Sequence, residues 1–190
     1  MKIIHGIFVL LITVILATAS LVQAQNYRIN MKTPAVQLYE SMLLFAEMRK
    51  YVQIEKSLPY LKEVFNSEKE NFKVDLQKDI EEAIKSGDQA IVVSSIRKAI
   101  FYDIKDIFHA VNNQFDNEPR NTVTSWLKMA NLDYKILSPY IKRNSLDGSK
   151  RIDANFTRLL GSMSNEKSNL QEINKIMNDI IDELASAGKF

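Results

Sequence analysis

The chain has 190 residues, with 25 Lys and Arg against 23 Asp and Glu, two His and no Cys. A formal charge of +2 gives no electrostatic case for nucleic acid or an anionic membrane surface. The missing Cys excludes disulfides, thiolate metal sites, iron–sulfur clusters, covalent haem and Cys nucleophiles.

The N-terminus reads as a secretory signal. Lys2 is the positive region, Ile7 to Leu16 the apolar core, and Ala17 to Ala24 the small-residue region. Val22-Gln-Ala24 predicts cleavage before Gln25. The apolar run is short for a membrane span of about 20 residues, and no later run approaches that length. Without Cys there is no lipoprotein anchor. Removing residues 1–24 from 190 leaves 166, and losing Lys2 takes the charge from +2 to +1. That length predicts one domain with a sizeable core. An exported chain without disulfides must be held by packing, so the expected location is a bacterial periplasm or the extracellular medium.

Residues 25–32 read as a flexible leader, and 33–190 as a single helical bundle domain. Thr33 caps a first helix, with Pro34 where a missing N–H is harmless. That helix is expected to reach Lys56 on a stripe of Leu38, Met42, Phe45 and Val52, widened by Leu44, Met48 and Tyr51. Arg49 falls on the stripe between Phe45 and Val52. Ser57 before Leu58-Pro59 opens a second helix through Tyr60, Leu61, Val64 and Phe65. Asn66, Ser67 and Asn71 weaken it. The pattern resumes at Val74, Leu76, Ile80 and Ile84 and stops at Gly87, giving one irregular helix or two shorter ones.

Asp88 to Phe115 is the centre of the fold. It holds no Gly or Pro, and Val93, Ile96, Ile100, Ile104, Ile107, Phe108 and Val111 recur at helical spacing. Asn117-Glu-Pro119 breaks the chain. A helix over about Arg120 to Ile141 follows, through Val123, Trp126, Leu127, Ala130, Tyr134 and Leu137, with Pro139 predicting a kink or stop near Ser138. A loop over 144–149 precedes a short helix over Ile152–Leu160. The last helix spans Asn165–Ala185, with Leu170, Ile173, Met177, Ile180 and Leu184 on one seam. The sum is an all-α bundle of five or six helices.

Candidate chemistry concentrates on the central helix. Its apolar face centres on Ile104, with Phe101, Phe108, Ile100 and Val111 around it. Tyr102, Asp106 and His109 fall opposite, with Asp103 at their edge. Asp103, Asp106 and His109 are the candidate metal ligands, since i, i+3 spacing lets Asp106 and His109 reach one ion. A solvated face with a surface His is the plainer reading. One His remains after cleavage, so a ferritin-like di-iron site or a multi-His zinc site cannot be built. No Gly-x-Ser-x-Gly, phosphate loop or EF-hand is present, so no enzyme and no cofactor is expected.

Arg97 and Arg49 interrupt apolar stripes, and Arg97 projects near Ile104 and Phe108. A buried guanidinium needs partners. Each either pairs with an acid or carbonyls inside the bundle, or lines a pocket for an anionic group. Arg97, Arg49 and Tyr102 are therefore the candidate ligand-binding residues. Tyr134, Tyr140, Tyr60, Tyr51 and Trp126 line either a groove or the rim of the core. The expected function is an exported, non-enzymatic protein that binds a partner protein or small molecule. The alternative is a metal- or anion-handling periplasmic protein using residues 88–115.

Overall fold

The computed structural model describes residues 35–164 and 168–190. The expected signal, the leader and the Thr33–Pro34 cap lie outside them, as does the expected start of the last helix at Asn165. The described residues are helical, with no strand among them, and those from Val36 to Phe190 form one compact unit.

The first helix, α1 (35–47), buries Tyr39, Met42 and Ala46 at spacings of three and four. It does not run on to Lys56. Arg49 takes φ 56°, its N–H bonds to the Ala46 carbonyl at 3.0 Å, and the Lys50 N–H reaches the Phe45 carbonyl at 2.8 Å. These two bonds form a Schellman stop with Arg where Gly is usual. The chain then turns, so the expected stripe is cut. Val52, Leu44 and Met48 are exposed, and Arg49 is an exposed turn residue rather than a buried stripe residue.

Next come α2 (Tyr51–Ser57), a 3₁₀ turn (Leu58–Leu61) and α3 (Lys62–Phe72). Pro59 sits in the first turn of the 3₁₀ segment, where it removes no needed bond. Lys73 at φ 59° ends α3. Asp75 opens α4 (Leu76–Ser86) by accepting the Lys78 N–H at 3.2 Å. The 57–86 stretch is thus two helices. Gly87, at φ 69°, ends α4. Asp88 caps the central helix α5 (Gln89–Gln114) through the N–H groups of Ala90 and Ile91.

Helix α6 runs from Arg120 to Asn144, straight through Pro139. Of the expected kink or stop, the stop does not occur: Leu137 and Ile141 are buried on both sides of the proline, and packing carries the helix past it. The expected loop shrinks to Ser145, whose hydroxyl accepts the Gly148 N–H at 3.1 Å and starts α7 (Leu146–Met163). Gly148 is a contact residue here, not a breaker. A Cβ on it would stand 3.2 Å from the Ala187 methyl of α8 (Leu170–Gly188). With eight α-helical segments among the described residues, the count exceeds the expected five or six, because two left-handed turns divide what read as continuous pattern.

Helix α5 packs on α3, α4, α6 and α8, while α7 joins α6 to α8. Ile96, Ile100, Ile104, Ile107 and Val111 are fully buried along it. None of the described helices is long and apolar enough to cross a membrane.

Candidate functional site

Because α5 has neighbours on several sides, its expected solvent face is partly covered. Phe72, the last residue of α3, lies over it, 5.7 Å from the Tyr102 ring and 6.0 Å edge-on from His109. Asp106 is turned towards α3, where it accepts from Ser67 at 2.9 Å and from Asn71 at 2.6 Å. His109 points its Nε2 at Asn113, 2.9 Å away. Asp103 is buried, 1% exposed, rather than at the edge of a wet face. Asp106 and His109 thus face different partners, and Asp103 lies in the interior. Among the described residues no three His, Asp or Glu side chains converge on a position for one metal ion.

Asp103 belongs to a different cluster. Glu68 on α3, Asp103 on α5 and Asp133 on α6 are all buried. Burial and the fields of Glu68, Asp103, Asp133 and Asp106 hold the Tyr39 phenol well above its ordinary pKa. The Tyr39 hydroxyl is buried without a hydrogen-bond partner among the described residues. The sequence reading missed Tyr39, Glu68 and Asp133. The available signal was an acid inside an otherwise apolar stripe, as with Asp103 between Ile100 and Ile104.

The sequence reading also missed Lys105. Helical side chains lean towards the N-terminus of their helix, so the Lys105 stem lies back over the preceding turn. Its ammonium stands 4.7 Å from the Tyr102 ring centre, 5.6 Å from that of Phe101 and 4.7 Å from that of Phe72. Burial pulls its pKa below the ordinary lysine value. Among the described residues no acid lies within ion-pair reach of Lys105. Lys98, two turns earlier, is the contrast: it meets Asp79 at 2.7 Å. An aromatic face attracts a cation but leaves its charge uncompensated.

Lys105 stands at the rim of a cleft of about 260 Å³ between α5 and α8. His109 and Asn112 line one wall; Asn174 and Asn178 line the other. Phe108 and Met177 are the buried apolar residues beneath them. The Asn174 amide donates to Asn112 Oδ1 at 2.7 Å, tying the walls together. A larger depression of about 520 Å³ continues along α8 past Gln171 and Lys175, but its walls all come from one helix. The cleft therefore offers a lysine cation, amides that both donate and accept, and a small apolar floor. Among the described contacts His109 meets Asn113, and no hydroxyl nucleophile or acid.

Arg97 lies two turns before Lys105 on α5. It is half-buried, and its guanidinium stacks on Tyr140 with 4.1 Å to the ring centre. Burial lowers its pKa; the Tyr140 interaction raises it, Arg143 lowers it and Glu47 raises it. The expected pairing with an acid or helix-end carbonyls is replaced by an aromatic face. Tyr140, read as groove or rim, also donates its hydroxyl to the Gly188 carbonyl at 3.1 Å. Tyr102 keeps its place as a site residue, as one of the rings under Lys105.

Compared with known protein families, with curated proteins and with solved structures, the chain matches none. The class that the structure defines is an all-α protein whose central helix carries two aromatic-backed cations without acidic partners among the described residues.

Proposed function

We propose that this is an exported, non-enzymatic binding protein that holds an anionic group of its ligand in the α5–α8 cleft, with Lys105 as the charge anchor. Residues 1–24 are the export signal, removed before Gln25. The observation that carries the reading is Lys105 itself. A half-desolvated ammonium without a nearby acid gains from an incoming carboxylate or phosphate, because each such contact is worth several times more than in bulk water. The amides of Asn112, Asn174 and Asn178 suit the remaining polar atoms of such a ligand. A cleft of about 260 Å³ lies just under the usual size range of sites for drug-sized molecules, so a compact group enters it.

The test is calorimetric titration of the exported protein with succinate and with inorganic phosphate at low ionic strength. At least one probe is expected to bind, to weaken as salt rises, and to be lost in Lys105→Met while Lys98→Met behaves like the parent. Absence of binding by both probes, or equal binding by Lys105→Met, removes the reading. Intact mass of exported material tests cleavage; a retained residue 1 would contradict it.

A further inference from the structure

We infer that the cleft is one end of a longer docking surface along α5 that takes an acidic polypeptide segment of another protein, with Arg97 receiving a second acid. The inference rests on the reading of Lys105 as an anion anchor and goes beyond it by naming the ligand class.

The first observation is the pairing of cations. Arg97 and Lys105 are eight residues apart on one continuous helix, which at 1.5 Å per residue is about 12 Å along its axis. Both are half-exposed, and neither has an acid within ion-pair reach among the described residues. The second observation is what lies between them. Arg97 stacks on Tyr140, whose ring is 6.3 Å from Phe190. Phe190 stacks on Phe101 at 4.9 Å, and Phe101 lies under Lys105 at 5.6 Å. The aromatic run is therefore unbroken from one cation to the other. Arg143 adds positive field at the Arg97 end; among the described residues Glu47 is the acid whose field reaches it.

A compact dianion such as succinate is too short to touch both cations. An extended peptide fits. At about 3.3 Å per residue, acids four positions apart are about 13 Å apart, and period-two alternation puts them on the same face. The residue midway between them also faces the protein, over Phe190, which is half-exposed and rests on the buried Phe101, so an apolar side chain is favoured there. The recognised pattern is acid-x-apolar-x-acid. Main-chain hydrogen bonding along a helix flank is limited, so the two charges and the central apolar contact supply most of the affinity.

The experiment uses the capped peptide Glu-Ser-Leu-Ser-Glu, the same peptide with its last residue changed to Gln, and succinate, each titrated into the exported protein. The two-acid peptide is expected to bind about tenfold more tightly than the one-acid peptide. Arg97→Met is expected to erase that tenfold difference and to leave succinate binding unchanged. Lys105→Met is expected to weaken peptide and succinate alike. If one- and two-acid peptides bind the parent equally, the inference is overturned without recourse to any variant. A two-acid peptide affinity as tight as the parent's in both Arg97→Met and Arg97→Gln overturns it as well, while leaving the Lys105 reading intact. Loss of neither ligand in Lys105→Met removes the underlying reading too. Tighter capture by anionic phosphatidylglycerol vesicles than by the two-acid peptide overturns the choice of a polypeptide.

Discussion

At the scale of single residues, this protein keeps several polar groups where physical chemistry makes them expensive. Tyr39 is fully buried and its hydroxyl has no hydrogen-bond partner among the described residues. Removing a polar atom that satisfies nothing leaves nothing unsatisfied behind. Tyr39→Phe is therefore expected to be as stable as the parent, or more stable by about 1–2 kcal/mol; a clear loss in urea melts would mean the hydroxyl has a partner. Asp75 behaves in the opposite way. Its carboxylate accepts from the Lys69 ammonium and from the Lys78 N–H, and these bonds hold its pKa below the ordinary 3.8. A folded pKa below the unfolded one favours folding above the unfolded value and loses that benefit as pH falls through the folded value. Asp75→Asn is thus expected to melt below the parent at pH 7, with the gap closing as pH drops under about 4. A gap that widens in acid would contradict the assignment. Lys105 is a third case, where the cost of a bare cation is balanced in part by three aromatic rings.

At the scale of elements, glycine shows how packing overrides propensity. Gly148 and Gly161 both lie inside α7. In isolation either would gain about 0.5–1 kcal/mol as Ala. At Gly161 an added Cβ meets nothing within 4 Å, so Gly161→Ala should realise that gain. At Gly148 it meets Ser145 Oγ at 2.8 Å and the Ala187 methyl at 3.2 Å. Gly148→Ala should instead lose about 1–3 kcal/mol through overpacking and a disturbed cap. Opposite signs in thermal melts of the two variants check the α7–α8 contact. Much of this level was legible in sequence. Asp88 as a cap, Gly87 as a stop, the α5 stripe from Ile96 to Val111 and the Ile173–Leu184 seam of α8 stand where spacing put them, while at the start of α5 Val92 is buried in place of the expected Val93. The failures have local causes. Arg49 and Lys73 occupy left-handed stops without the glycine that signals them. Pro139 is carried through α6 because its flanking turns are buried, which a proline rule applied to one helix alone does not contain.

At the scale of the molecule, α5 is the element on which α3, α4, α6 and α8 converge. Ile104 lies at its middle and is fully buried. Ile104→Ala is expected to cost about 2–5 kcal/mol. It should lower by the same amount the transition seen by far-ultraviolet dichroism, from all helices, and by fluorescence of Trp126 on α6. Separate shifts of the two probes would show that the helices do not unfold as one unit. Hydrophobic periodicity alone determined the helical class, the central segment and most of its buried side, because burial of apolar stripes is decided by spacing along the chain. It also drew notice to Arg97 inside the stripe and to Tyr102 on the face opposite it, since both placements are visible in one dimension. Which face of α5 meets which helix was decided only in three dimensions. That placement buried Asp103, turned Asp106 to Ser67 and Asn71, and separated the proposed ligands of a metal. It also brought Phe72 from another helix over Lys105. A lysine on a helix reads as an ordinary surface charge until the side chains around it are known. Its meaning as an uncompensated cation depends on the absence of an acid in space, and distance through space is not written in the order of residues.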